Sequence, residues 1–133
     1  EITWVTGVQT CALPIFSDYL IPALVSRQTG CITGTGNVIP KTIVKLYKTA
    51  VAALASGNPQ DLQEALKIQD IVSNADWCIV KAGIGGTKLA LDLYVQKGLG
   101  GNPRSPLPAA DDACKAMLAK GLKTAIAYEN SLP

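Results

Sequence analysis

One short run constrains this chain more than any other feature. Gly30-Cys31-Ile32-Thr33-Gly34 is a partly β-branched segment between glycines and is the only convincing strand in the sequence. A lone strand carries unpaired N–H and C=O groups along both edges, so it needs neighbours. The sequence offers none. Helix, strand, helix is also the order that repeats in an α/β protein. The chain therefore reads as the end of a larger α/β domain whose other strands lie outside it.

The remaining elements read as helices. Asp18 to Gln28 predicts a short helix, capped by Ser17 or Asp18, with Pro22 near its first turn and Gly30 after its end. Pro40 opens a helix to about Ser56. Its expected buried stripe is Ile43, Tyr47, Ala50 and Leu54, with Lys41, Lys45 and Lys48 largely off that face. Gly57 stops it, and Asn58-Pro59 restarts the chain as cap and first helical residue, with Asp61 placed as in a capping box. Leu62, Ala65, Leu66, Gln69 and Val72 trace a second amphipathic helix to about Asp76. Trp77 to Gly83 extends it or forms a turn. Gly85-Gly86 interrupts the pattern, and Thr87 to Gln96 is helical again. Gly98 to Pro108 is a loop by its Gly and Pro content, and a last helix spans about Ala109 to Tyr128.

Residues 1–16 do not fit this pattern. Glu1 is their only charge, and their apolar residues keep no regular spacing. Val5 to Ile15, VTGVQTCALPI, resembles the in-frame translation of a sequencing-library adapter. The segment is set aside as a fusion scar would be. The only methionine is Met117, so the chain does not begin on Met, and a truncated chain is the expectation. The division is then 1–16 adapter-like, 17–56 the end of an α/β domain, and 57–133 a helical region.

Composition removes several function classes. The chain has 12 basic against 10 acidic residues, too balanced for an electrostatic nucleic-acid footprint. No apolar run approaches the roughly 20 residues of a membrane span. Histidine is absent, which rules out a Ser-His-Asp triad, a His base and a His-containing metal site within this sequence. Beyond Cys11, the cysteines Cys31, Cys78 and Cys114 are odd in number and lack CxxC spacing, so reduced thiols in the cytoplasm are expected, with no metal.

Each candidate for chemistry has a plainer rival. Gly34-Thr35-Gly36-Asn37 follows the strand, where α/β folds bind ligands, but it lacks the third glycine of GxGxxG and the GK[ST] of a P-loop. Lys81 and Lys88 could form imines only if buried, and solvated helix lysines are the simpler reading. Cys31 has no histidine to activate it and reads as a buried structural thiol. Asp111-Asp112 reads as a pair of helix-start acids, because adjacent helical residues point apart. Trp77 reads as packed core.

Ser17-Asp18, Ile21-Pro22, Gly30-Cys31-Ile32-Thr33 and Gly36-Asn37-Val38 form an ordered set. With the GGTKLAL and GGNPRSPLP segments downstream, this set resembles the end of the dihydrodipicolinate synthase / N-acetylneuraminate lyase family, across essentially all of 17–133. The nearer flavour is the sugar-acid and 4-hydroxy-2-oxoglutarate aldolase branch. The resemblance implies a (β/α)8 TIM barrel, here helix seven, strand eight (Gly30–Gly34) and helix eight (Pro40–Ser56), followed by a C-terminal helical region. It implies a 2-oxo acid, usually pyruvate, held as a Schiff base on a lysine, a tyrosine relaying protons, and an aldehyde partner. That lysine and tyrosine belong to earlier strands, so the resemblance places no catalytic residue in this chain. It implies no cofactor, and a homo-oligomer (dimer or tetramer) in the parent protein. Ile32 matches the isoleucine whose backbone lies beside the bound pyruvate, and Thr33 a neighbouring polar residue. Phe16 stands where the family has Gly. The rival expectation is a helical interaction module, or a truncated paralogue, without catalysis.

Overall fold

The structure, a computed structural model, describes residues 16–133. Val5–Ile15 and the rest of the first fifteen residues lie outside the described residues.

Five helices follow one another: α1 Leu20–Val25, α2 Pro40–Ser56, α3 Pro59–Tyr94, α4 Asp112–Gly121 and α5 Lys123–Ser131, with a 3-10 turn at Thr35–Asn37 before α2. The expected strand is the first correction. Among the described residues no β-strand forms, and Gly30–Gly34 is an irregular segment in which Ile32 alone occupies a bridge position. The Ile32 carbonyl accepts the Phe16 N–H at 2.8 Å. A ladder needs a second strand to supply its hydrogen bonds, and none is present among these residues.

α2 has the bounds that its punctuation dictates. Pro40 is its first residue, and Gly57 closes it in the left-handed conformation with its N–H on the Ala53 carbonyl. Its buried face overlaps the expected one at Ala50 and at Ile43, which packs against the core, but not at Tyr47 and Leu54. Thr42, Leu46, Ala50 and Ala53 are buried, whereas Tyr47 is 39% and Leu54 42% exposed. The stripe is rotated by about one residue, because α2 must face α3 and α1 together.

α3 starts as its sequence demands, with the Asn58 side chain accepting the Gln60 N–H at 2.9 Å. Asp61 does not reach back to the Asn58 N–H. That N–H donates to Ser56 Oγ (3.2 Å), whose hydroxyl donates to Asp61 Oδ2 (3.0 Å). The helix runs well past Asp76 and breaks at Gly83, not at Gly85-Gly86. Gly83 sits at φ 61°, ψ −165°, a backbone region open essentially to glycine. Gly85 instead lets the loop approach: a Cβ there would lie 2.6 Å from the Pro108 carbonyl oxygen. That loop is fastened to α3 by Asp92, whose carboxylate accepts the N–H groups of Gly100 (2.7 Å) and Gly101 (3.1 Å). These bonds, Gly100's above all, hold the Asp92 carboxyl below the usual carboxylate range.

The single last helix expected over Ala109–Tyr128 is two. The chain bends at Leu122, which together with Leu118 and Ala125 is buried against Ala75, Cys78 and Ile79 of α3. A second apolar cluster joins Leu20 and Ile21 of α1, Leu46 and Ala50 of α2, and Ile68 and Val72 of α3. Ile43 packs against both clusters, so the two halves of the core meet on α2.

Candidate functional site

The segment from Ile32 to Asn37 lies between α1 and α2 and is tied to α3 from below. Asp76 is the centre of that tie. Its side chain faces inward, and the residue is 1% exposed. Oδ2 accepts the N–H groups of Ser17 (2.6 Å) and Asp18 (3.0 Å) at the start of α1. Oδ1 accepts the hydroxyls of Thr33 (3.3 Å) and Thr35. A buried carboxylate without a partner base is costly, and convergent donors are what offset that cost. Among the described residues the ion pair present is Lys67–Glu64, far along the exposed face of α3.

Gln69 sits two turns earlier on the same face of α3 and completes the attachment. Its Oε1 accepts the Ile21 N–H (3.0 Å), and its Nε2 donates to the Ser17 carbonyl (2.9 Å) and to Ser73 Oγ (3.2 Å). Sequence reasoning placed Gln69 on the buried stripe without giving it a role, and it passed over Asp76. The available signal was two polar residues seven apart on an otherwise apolar stripe.

The two residues singled out for substrate behave differently. The Ile32 side chain points outward and is 62% exposed. The Thr33 hydroxyl is held inside. It donates to Asp76 Oδ1, accepts the Thr35 N–H (3.2 Å) and lies 3.1 Å from Ser17 Oγ. Cys31, next to them, is partly buried, and burial first, then the Asp76 charge, pushes its thiol pKa up. A raised pKa keeps it protonated near neutral pH, the state of a structural thiol rather than a nucleophile.

The turn Gly34–Asn37 is no phosphate cradle. The N–H of Asn37 donates to the Gly34 carbonyl, and those of Val38 and Ile39 donate to the Thr35 carbonyl. The other candidates are scattered. Lys81 is exposed and lies over the Trp77 ring at 5.6 Å from its centroid. Trp77 is itself 62% exposed, which corrects its reading as packed core. Asp111 caps α4 by accepting the Cys114 N–H at 2.7 Å, and Asp112 lies in its first turn, as helix-start acids do. A groove of about 610 Å³ opens beside the α3 break, lined by Gly85, Pro108, Cys114 and Met117 among others, and it includes neither Ile32 nor Thr33. Among the described residues no three His, Cys, Asp or Glu side chains cluster as metal ligands, and no helix is long and apolar enough to cross a membrane.

No family model matches the chain. Individual proteins do. It is 36% identical to an L-threo-3-deoxy-hexylosonate aldolase of Hypocrea jecorina, over 86% of this chain and 34% of that protein. It is 34% identical to the Aspergillus niger protein of the same name, over 88% of this chain and 32% of the relative. A protein of Emericella nidulans named as a mitochondrial 4-hydroxy-2-oxoglutarate aldolase is 32% identical over 86% of this chain. A solved dihydrodipicolinate synthase family protein from Coccidioides immitis superposes with a TM-score of 0.70 at 27% identity, covering 92% of this chain and 40% of that one. The chain is thus similar in sequence to aldolases and in structure to a dihydrodipicolinate synthase family protein. It spans about a third of the length of the curated aldolases it matches. The structural likeness covers 92% of this chain, so the helices described above are arranged as in one part of that fold.

Proposed function

We propose that this chain is the C-terminal part of a class I, Schiff-base-forming 2-oxo-acid aldolase, with residues 17–56 ending a (β/α)8 barrel and 57–133 forming the helical region behind it. The observation that carries this reading is 36% identity, across 86% of the chain, to a protein named as an aldolase. Ile32, through its backbone, and Thr33 border the site of pyruvate or a related 2-oxo acid, and an aldehyde is the second reactant. A lysine on an earlier strand condenses with the oxo group and releases water. The protonated imine then withdraws electrons and stabilises the carbanion next to it, so a carbon–carbon bond can form or break. This chain supplies a wall of that site and no catalytic group. The parent is a homo-oligomer in a reducing compartment, the cytoplasm, in keeping with the free thiols of Cys31, Cys78 and Cys114.

The test is reductive trapping. The open reading frame around the Ser17 codon is recovered from the source DNA, and the complete protein is incubated with pyruvate and borohydride. A stable adduct on a lysine upstream of Ser17 is the expected result. The 133-residue chain treated in the same way should keep its mass. An adduct on Lys81 or Lys88 would place the imine in the wrong part of the protein and overturn the reading.

A further inference from the structure

We infer that Asp76 is a positioning residue for the substrate wall formed by Ile32 and Thr33, an inference that rests on the aldolase reading above. Among the described residues, Ile32 is placed through its backbone. Its side chain is largely exposed, so packing does not place it, and its carbonyl is bonded to the Phe16 N–H. The next residue provides the firmer anchor. The hydroxyl of Thr33 donates to Asp76 Oδ1, its oxygen accepts the Thr35 N–H, and it lies 3.1 Å from the Ser17 hydroxyl. A hydroxyl has one donor and two acceptor sites, so that of Thr33 has nothing left for a ligand. Thr33 therefore acts on the site by fixing the backbone, and Asp76 is what fixes Thr33.

The choice of a carboxylate follows from the same geometry. Four donors, two from the backbone and two hydroxyls, converge on two oxygens of a side chain that is almost wholly inaccessible. Only an acceptor at both ends answers all four without rearrangement. Asp76 also stands on α3, in the helical region 57–133, whereas every one of its partners lies in 17–56. The helical region thereby sets the position of a segment at the substrate.

Asp76→Asn is the informative substitution. It keeps the shape, but one end becomes a donor, and the hydroxyls of Thr33 and Thr35 must turn round to accept from it. Asp76→Ala would strand four donors and could simply fail to fold. Thr33→Val removes the same link from the other side and serves as the second variant. In the complete protein both should lower kcat/KM by about tenfold to a hundredfold, the size of effect that a misplacement of about 1 Å produces. The loss should appear mainly as a raised KM for pyruvate with kcat little changed. The double variant should lose less than the two single losses combined, since both changes disturb the Thr33–Asp76 bond. A purely structural role would lower the melting temperature and leave KM alone, and that result overturns the inference. If pyruvate and borohydride trap no lysine in the unsubstituted protein, the aldolase reading falls and this inference with it. Normal trapping with an unchanged KM in both variants removes Asp76 alone.

Discussion

Glu129 does for α2 what α2's own cap does not. Ile39 precedes the helix and offers no side-chain oxygen. Glu129, buried on α5, accepts the N–H groups of Lys41 (3.0 Å) and Thr42 (2.7 Å) and the Thr42 hydroxyl (2.7 Å). A carboxylate at the positive end of a helix is favourable, and these donors would otherwise be stranded. Glu129→Ala should therefore destabilise the complete protein by about 1–3 kcal/mol, the cost of burying unsatisfied donors. Denaturant unfolding of the two proteins checks this, and a change below the usual surface value of about 0.5 kcal/mol would show that water replaces the carboxylate. Glu129 does not stand out in the sequence, and Asp76 does so only as a polar residue on an apolar stripe. Each caps or braces an element distant in the chain, and no local spacing encodes such a partnership.

At the scale of elements, local chemistry sets ends better than faces. Pro40, Gly57 and Pro59 act through their own backbones and Asn58 through its side chain on the next turn, and the bounds of α2 and the start of α3 lie where these residues put them. The break in α3 was harder to place, because three glycines lie within four residues and composition cannot rank them. Only one bears the unusual dihedral angles. Gly83→Ala should cost about 1–3 kcal/mol, since a Cβ at φ 61°, ψ −165° is strained whatever the free space around it. Thermal or denaturant melting of the complete protein measures it, and an unchanged or raised stability would mean that α3 can run straight through. The expected strand failed for a related reason. β-branched residues make Cys31–Thr33 suited to a strand, but pairing is a property of two segments.

At the scale of the molecule, the apolar side chains that remain outside are informative. Val25, Ile32, Trp77 and Ile84 are all more than half exposed. Isolated exposed apolar residues are ordinary, but under the aldolase reading the rest of the barrel and neighbouring subunits cover a large share of such surface. The 133-residue chain by itself should then bind a hydrophobic dye, associate with rising concentration and melt without a sharp transition. A monomeric chain with a cooperative thermal transition and no dye binding would favour the helical interaction module instead.

Much of this protein was readable without coordinates, and the reason is locality. Proline, glycine and cap residues act on their immediate neighbours, so the helices and the Gly98–Pro108 loop follow from the order of residues. The ordered motifs from Ser17 to Val38 pointed to the same kind of protein as the aldolases the chain is similar to, because each motif is a short stretch legible without its tertiary partners. The tertiary structure decided the rest. It turned the buried face of α2, because that face is chosen by three helices packing at once. It split the last helix so that Leu118, Leu122 and Ala125 could share one core. It also drew Asp76 beneath Thr33 and Gln69 beneath Ile21, each across more than forty residues of sequence. Buried polar groups find partners only when the chain has folded, so that arrangement belongs to the packed molecule and to no single segment of it.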